Sequence, residues 1–280
     1  MTALTCDISE LLIDALAARS ARTGERQADI VTSALADALE IERSTLFQVS
    51  TSTALVEGVY DGVVSVGELK QHGDFGLGTF DALDGELVAM DGRFYQVHGS
   101  GEVSEAPNEA KVPFAVITAF RAERSFVIDY VADFDELVAR LDRERRTDNR
   151  FYAARIEGCF AHVQTRAARR ANTGVSLVDA TARQSVFELS DVEGSLVGFW
   201  TPSYARTINI AGWHLHFLAE SCAGGGHLLD CRTAGLRVEL QELAEVRIAM
   251  PETAAFMKAD LTRDPSSDLD VAERGGRRPG

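Results

Sequence analysis

Basic side chains are scarce in this sequence. Its 280 residues include 28 Lys and Arg against 43 Asp and Glu, which gives a net charge of −15 at pH 7. A protein that binds nucleic acid or an anionic membrane surface neutralises many phosphates with Lys and Arg, so this balance argues against both kinds of partner. We therefore expect a small molecule or another protein as the partner.

Cysteine and long apolar runs are scarce as well. The four cysteines are Cys6, Cys159, Cys222 and Cys231. They form no C-x-x-C pair, which excludes a dense disulfide framework and a zinc site made of thiolates. No apolar run approaches the roughly 18 residues of a membrane span, and Asp7 and Glu10 stand where a signal peptide carries basic residues. We expect free thiols and a cytoplasmic protein without a membrane segment.

The first 43 residues differ from the rest in composition and in the spacing of their apolar residues. They are rich in Ala and Leu, and their apolar residues recur at helical spacing in two stripes: Ile8, Leu11, Leu12 and Leu16, then Ile30, Val31, Leu35 and Leu39. A short extended start followed by two helices resembles the ribbon-helix-helix module, so we assign residues 1–43 to a helical extension of that kind. Four Arg against eight acidic residues give this extension a net charge of −4, and its predicted ribbon lacks the basic and amide side chains that read DNA. DNA binding by the extension is therefore disfavoured.

The sequence pattern of the remaining chain predicts short strands and hairpins. Glu86–Met90 and Arg93–Val97 flank Asp91 and Gly92. An Asp-Gly pair suits the positive φ angles of a type I′ turn, so this stretch predicts a hairpin.

Other segments predict a β-rich domain with one long helix. Residues 112–120 predict a strand that Pro113 places at a sheet edge. Residues 133–145 begin with acids and end with arginines, as a helix dipole favours. The last twenty residues are polar and predict a terminus without regular structure. The further predicted strands are residues 125–130, 151–160, 162–166, 186–189, 195–200, 213–218, 227–232 and 236–240.

Three of the six histidines lie within fourteen residues of one another. Alternate side chains of a strand share a face, so His214 and His216 point the same way. The Gly-rich run before His227 returns the chain, and an adjacent strand can bring that imidazole beside the other two. Three imidazoles leave a fourth tetrahedral position open, which is typical of a catalytic zinc site.

A set of further motifs accompanies the histidines. The set consists of His72-Gly-Asp-Phe-Gly-Leu-Gly-Thr79, Asp84-Gly-Glu86, Gly198-Phe-Trp-Thr-Pro202, Trp213-His-Leu-His-Phe217 and Gly-Gly-Gly-His227. Together these motifs resemble the alpha-acetolactate decarboxylase family, over about residues 46–273. The extension of residues 1–43 lies outside the resemblance.

The resemblance implies a metal-dependent enzyme that converts 2-acetolactate to acetoin and CO2, with Zn²⁺ or another divalent metal as cofactor and a homodimer as the assembly. It implies a mixed, β-rich α+β fold. Residues 44–150 would form an extended mixed sheet, and residues 151–280 a small antiparallel β-barrel that carries the metal site. Matched motif by motif, the implied metal ligands are His214, His216 and His227. The implied catalytic residues are Thr79, Glu86, Arg166 and Glu273.

The chemistry of that reaction suits these residue types. Loss of CO2 from a β-keto acid leaves electrons that the neighbouring carbonyl must absorb, and a zinc ion chelated by the carbonyl and hydroxyl oxygens would stabilise the resulting enediolate. The planar guanidinium of Arg166 suits a carboxylate or the enediolate oxygens. Glu86 or Glu273 could deliver a proton to the enediolate carbon, and the sequence leaves open which of them does.

Two other functions stay open on the sequence alone. Glu220 lies four residues after His216, so the same stretch also suits a cupin-like oxygenase or isomerase with His214, His216 and Glu220 as ligands. The second alternative is a regulatory protein in which the β-rich domain senses a metabolite and the extension binds DNA.

Overall fold

The structure is a computed structural model that describes residues 5–23, 27–38 and 44–274. The described residues fall into two compact units, one before residue 44 and one from Ser44 onward. No helix in these ranges is long and apolar enough to cross a membrane.

The first unit contains two helices, α1 (Glu10–Thr23) and α2 (Gln27–Ala38), where the apolar stripes predict them. Residues 5–9 form no strand. The stripes themselves are mostly uncovered, since Leu11 is 79% exposed and Leu12 is 57% exposed, whereas Ile30 is buried. Two short helices have too little surface to cover both stripes. Leu39 lies outside the described residues.

Between residues 44 and 274 the second unit has fourteen strands and six α-helices. The strands are β1 (Thr45–Val49), β2 (Val64–Ser65), β3 (Phe75–Thr79), β4 (Glu86–Met90), β5 (Arg93–Val97), β6 (Val103–Glu105), β7 (Lys111–Val112), β8 (Phe114–Thr118), β9 (Arg124–Ile128), β10 (Phe151–Ala167), β11 (Ser185–Thr201), β12 (Gly212–Ala219), β13 (Gly225–Leu243) and β14 (Glu245–Ala249). The helices are α3 (Ser52–Val56), α4 (Val66–Leu69), α5 (Phe134–Glu144), α6 (Leu177–Thr181), α7 (Ala254–Lys258) and α8 (Ser266–Arg274).

Seven strands form a mixed sheet in the order β14-β1-β8-β3-β4-β5-β6, in which only β14 and β1 run parallel. The predicted hairpin is confirmed as β4 and β5, and Asp91 and Gly92 have φ angles of +53° and +75°, as a type I′ turn requires. The edge position predicted from Pro113 is wrong. Pro113 falls between β7 and β8, so β8 keeps its own hydrogen bonds and lies between β1 and β3.

The second sheet is antiparallel, in the order β10-β11-β12-β13-β9, and β10 also pairs with β13. Pairs of predicted strands merge here, because β10, β11 and β13 run on through irregularities such as the register shift after Gly158. The sheet is not a closed barrel. β12 meets β13 at only three residue pairs beside their turn, so the predicted small barrel is corrected to an antiparallel sheet that does not close.

Each sheet includes one strand from the part of the chain that otherwise forms the other sheet. β14 lies in the mixed sheet and β9 in the antiparallel one, which ties the two sheets together. The predicted long helix is confirmed as α5, with the Asp133 side chain accepting from the Glu136 N–H at its start. The prediction of an irregular terminus is wrong for Ser266–Arg274, because α8 forms there and buries Leu269 and Ala272 in the core; residues 275–280 lie outside the described residues.

Candidate metal centre

Three buried histidines converge where β12 and β13 pair. His214 and His216 alternate along β12 and share a face, and His216 stands directly opposite His227 on β13. His214 Nε2 lies 3.1 Å from His216 Nε2 and 3.1 Å from His227 Nδ1. The three side chains are 1% to 8% exposed, so the clustering predicted from the sequence is confirmed as geometry.

Outer contacts orient two of these rings. His216 Nδ1 lies 2.9 Å from the Leu87 carbonyl oxygen, and His227 Nε2 lies 3.0 Å from the Glu273 carbonyl oxygen. A carbonyl only accepts, so each of these nitrogens donates a proton and the other nitrogen of the ring offers its lone pair. Burial, assisted by the positive charge of Arg166, lowers the pKa of His214 to about 3, and burial holds the pKa of the other two histidines well below its usual range. The imidazoles are therefore neutral, as metal ligands must be.

The donor set fits a divalent metal. Zinc binds imidazole nitrogen at roughly 2.0–2.1 Å, so the ligands of a tetrahedral ion lie roughly 3.3 Å apart. The 3.1 Å contacts are close to that spacing. Glu273 Oε2 lies 3.5 Å from His214 Nε2 and 3.4 Å from His227 Nδ1. This buried oxygen has no hydrogen-bond partner among the described residues, which leaves it available as a further ligand.

A second buried carboxylate comes from the mixed sheet. Glu86 opens β4, and its Oε2 lies 3.7 Å from His216 Nε2 while Oε1 accepts from the Ala168 N–H. Burial raises the pKa of Glu86 to about 7, against the opposing effects of the Arg166 charge and the Ala168 N–H. Glu86 can therefore hold a proton near neutral pH.

One buried cation completes the cluster. Arg166 lies on β10 opposite His227 and is 4% exposed. Its Nη2 lies 3.5 Å from Glu273 Oε1, and its Nη1 donates to Gln184 Oε1 at 2.8 Å. Burial raises the pKa of Glu273, and the Arg166 charge opposes that rise. The site thus combines three neutral imidazoles, one buried and one partly buried carboxyl group, and one guanidinium.

The structure brings most of the predicted site residues together. Thr79 pairs with Glu86 across β3 and β4, but its hydroxyl donates to the Gly85 carbonyl and not toward the histidines. Glu220 is exposed in the turn after β12 and lies outside the histidine cluster. The cupin-like ligand set, which needs Glu220 beside the histidines, is therefore wrong.

Sequence reasoning missed the groups that support the cluster. The Leu87 carbonyl and the Ala168 N–H act through the backbone, so no residue type could have revealed them. Gln184 follows the turn after α6 and belongs to no motif. The contact between Gln184 and Arg166 forms only when the sheet folds.

A cavity of about 630 Å³ adjoins the cluster where β12 and β13 diverge. It reaches His227 and Glu273, and its lining includes residues of α5 and α8 and the aromatic residues Trp200 and Trp213. A small molecule has room there beside His227 and Glu273.

Replacing Gly226 with alanine is expected to displace His227 and weaken metal binding by about 10- to 100-fold. Gly226 has a φ angle of +121°, and a Cβ there would lie 2.3 Å from the Arg166 carbonyl oxygen. The backbone before His227 must then move. Metal titration of the purified variant measures the loss.

Gly174→Ala is the matched control for this change. Gly174 has a φ angle of +92°, and nothing lies within 4 Å of the added Cβ. The alanine therefore introduces similar backbone strain without the clash. Metal affinity in Gly174→Ala should match the unmodified protein. Equal affinities in both variants would contradict the role assigned to Gly226.

Comparison with known proteins identifies the family of this chain. A family model described as alpha-acetolactate decarboxylase matches residues 46–263. The alpha-acetolactate decarboxylase of Methylococcus capsulatus is 39% identical over 264 residues, covering 94% of this chain and 100% of that protein. The one of Methanosarcina mazei is 40% identical, covering 82% of this chain and 80% of that protein. The crystal structure of alpha-acetolactate decarboxylase from Bacillus subtilis strain 168 superimposes with a TM-score of 0.80 at 36% identity, covering 82% of this chain and 99% of that one. This chain belongs to the alpha-acetolactate decarboxylase family.

Proposed function

We propose that this chain converts 2-acetolactate to acetoin and CO2 in a metal-dependent reaction. The observation that carries the proposal is the meeting of three neutral, buried imidazoles with a buried guanidinium, the buried Glu86 carboxyl group and the partly buried Glu273 carboxyl group. Such a set suits a small anion that must lose a carboxylate and gain a proton. The names of the relatives supply the identity of that anion.

His214, His216 and His227 would hold the metal, with Glu273 Oε2 beside them. A divalent metal bound there supplies a Lewis acid that stabilises negative charge on the carbonyl and hydroxyl oxygens of the substrate. We propose Zn²⁺, because three imidazole nitrogens within 4.8 Å of one another suit its tetrahedral coordination. The homodimer and the cytoplasmic location remain predictions, based on the family resemblance and on the cysteine usage.

Arg166 would bind the carboxylate of the substrate. Among the described residues, its Nη2 has only a 3.5 Å contact to Glu273, and its Nε has no hydrogen-bond partner. These donors can therefore form charge-assisted hydrogen bonds to an incoming anion. They also hold the carboxylate in the orientation from which its bond to the adjacent carbon breaks.

Glu86 would deliver the proton that completes the reaction. When the carbon–carbon bond breaks, CO2 leaves and the electron pair moves onto the neighbouring carbonyl, which gives an enediolate. One proton on its carbon then gives acetoin. Glu86 has the raised pKa that a general acid needs at neutral pH, whereas Glu273 lies closer to Arg166 and to the His214 and His227 nitrogens.

The direct test is to add the purified protein to racemic 2-acetolactate and follow acetoin formation. We expect turnover that a chelator abolishes and that added Zn²⁺ restores, because the substrate oxygens need a Lewis acid. Turnover that survives removal of the metal would contradict the metal-dependent mechanism. A metal-loaded protein that forms no acetoin would contradict the proposed substrate.

A further inference from the structure

The charge of Arg166 has a neutral partner close by. Its Nη1 donates to the amide oxygen of Gln184 at 2.8 Å, which is the shortest contact of the guanidinium that the described residues provide. The carboxylate of Glu273 stays at 3.5 Å from Nη2. The guanidinium is therefore oriented mainly by an amide, and not by a full negative charge.

The backbone around Gln184 holds this amide in place. The Gln184 N–H donates to the Thr181 carbonyl at the end of α6, and the next residue, Ser185, starts β11 and pairs with Ala167. The side chain thus emerges beside Arg166 from a segment that is anchored on both sides. The same segment supports the other wall of the site, because Leu177 and Ala180 of α6 share a core cluster with Leu269 of α8.

An amide and a carboxylate at this position have opposite consequences for an anionic substrate. An amide oxygen orients the guanidinium without adding a negative charge beside it. A carboxylate at the same place would form a bidentate ion pair with Arg166 and compete with the substrate for its donors. This competition is strong in a buried site, where charges are poorly screened by solvent.

We propose that Gln184 is a positioning residue that orients Arg166 for the substrate carboxylate without neutralising it. The inference rests on the proposed function, since it assigns the free donors of Arg166 to that carboxylate. Gln184 itself does not touch the reacting atoms. Its effect on catalysis is therefore exerted entirely through Arg166.

The test compares Gln184→Glu, Gln184→Met and the control Gln71→Glu, which makes the same charge change at an exposed position. We expect Gln184→Glu to raise KM for acetolactate about tenfold or more, with a smaller effect on kcat, because a charged hydrogen bond competes with substrate binding. Gln184→Met, which leaves Nη1 without its acceptor, should lower kcat/KM about tenfold. Gln71→Glu should leave both parameters unchanged.

A binding measurement separates positioning from a merely structural role. Calorimetry with the anion 2-hydroxy-2-methylpropanoate should show the same weakening in Gln184→Glu, whereas neutral acetoin should bind as before. In an Arg166→Ala background, the neutral change Gln184→Met should weaken the anion no further. Metal content and thermal stability of each variant establish that it is folded. If Gln184→Glu does not fold, Gln184→Met and its combination with Arg166→Ala provide the same comparison.

Two results would overturn the inference. The first is that the anion affinity and the KM of both Gln184 variants stay within twofold of the values for the unmodified protein. The other is a Gln184 effect that persists in full when Arg166 is alanine. If the unmodified protein binds the anion but does not turn over acetolactate, the proposed function fails, and the binding comparison still decides the role of Gln184.

Discussion

Replacing His227 with alanine is expected to abolish stoichiometric metal binding and to lower acetolactate turnover about 10³-fold or more. The imidazole supplies one of three converging nitrogens, and its Nε2 also holds the end of α8 through the Glu273 carbonyl. Loss of several kcal/mol of charge stabilisation in the transition state corresponds to a rate loss of this size. Elemental analysis of the purified variant and an acetoin assay give the two measurements.

His162→Ala is the matched control for that result. His162 lies on β10 in the same sheet, 3.3 Å from Glu188 and away from the cluster. Metal content and turnover should be unchanged in this variant, and also in Glu220→Ala, because Glu220 is exposed. Full metal occupancy in His227→Ala, or its loss in Glu220→Ala, would require a different ligand set.

Replacing Glu86 with glutamine is expected to lower turnover by about 10²- to 10⁴-fold while the protein keeps its metal. Glutamine preserves the shape of the side chain and can still accept from the Ala168 N–H, but it has no proton to give to the enediolate carbon. Protonation then falls to solvent, which approaches with less control. The acetoin formed by the variant should therefore lose optical purity, as chiral chromatography would show.

Glu102→Gln serves as the control for the loss of one carboxylate, because Glu102 is exposed in the turn between β5 and β6. It should behave as the unmodified protein. A Glu86→Gln variant that retains a tenth of the activity and full stereoselectivity would transfer the acid role to another group. Glu273→Gln, tested beside it, identifies whether that group is Glu273.

Local patterns predicted those parts of the site that depend on neighbouring residues. The alternation of His214 and His216 places both side chains on one face, and the Gly-rich turn brings His227 opposite His216. The hairpin that begins at Glu86 was also readable, from the Asp-Gly pair at its turn. In each case the determining contacts are close in the chain.

The rest depended on contacts between distant segments. Arg166 reaches the histidines because β10 pairs with β13, and Glu86 because the mixed sheet packs against β12. Only the family resemblance pointed to these residues. The sequence predicted no regular structure at the polar terminus, because α8 has few apolar residues. Leu269 and Ala272 are recognised as core residues only once the core that they pack into is known.

The parallel pairing of β1 with β14 has a consequence for how the protein is made. β1 is the first strand of its unit, and the partner that covers one of its edges is the last. A ribosome therefore has to translate all of the chain between Val49 and Glu245 before that edge is closed. Pairings of such long sequence separation form slowly, and an uncovered strand edge invites pairing with other chains. The newly made protein should therefore be more prone to aggregation during synthesis than after release.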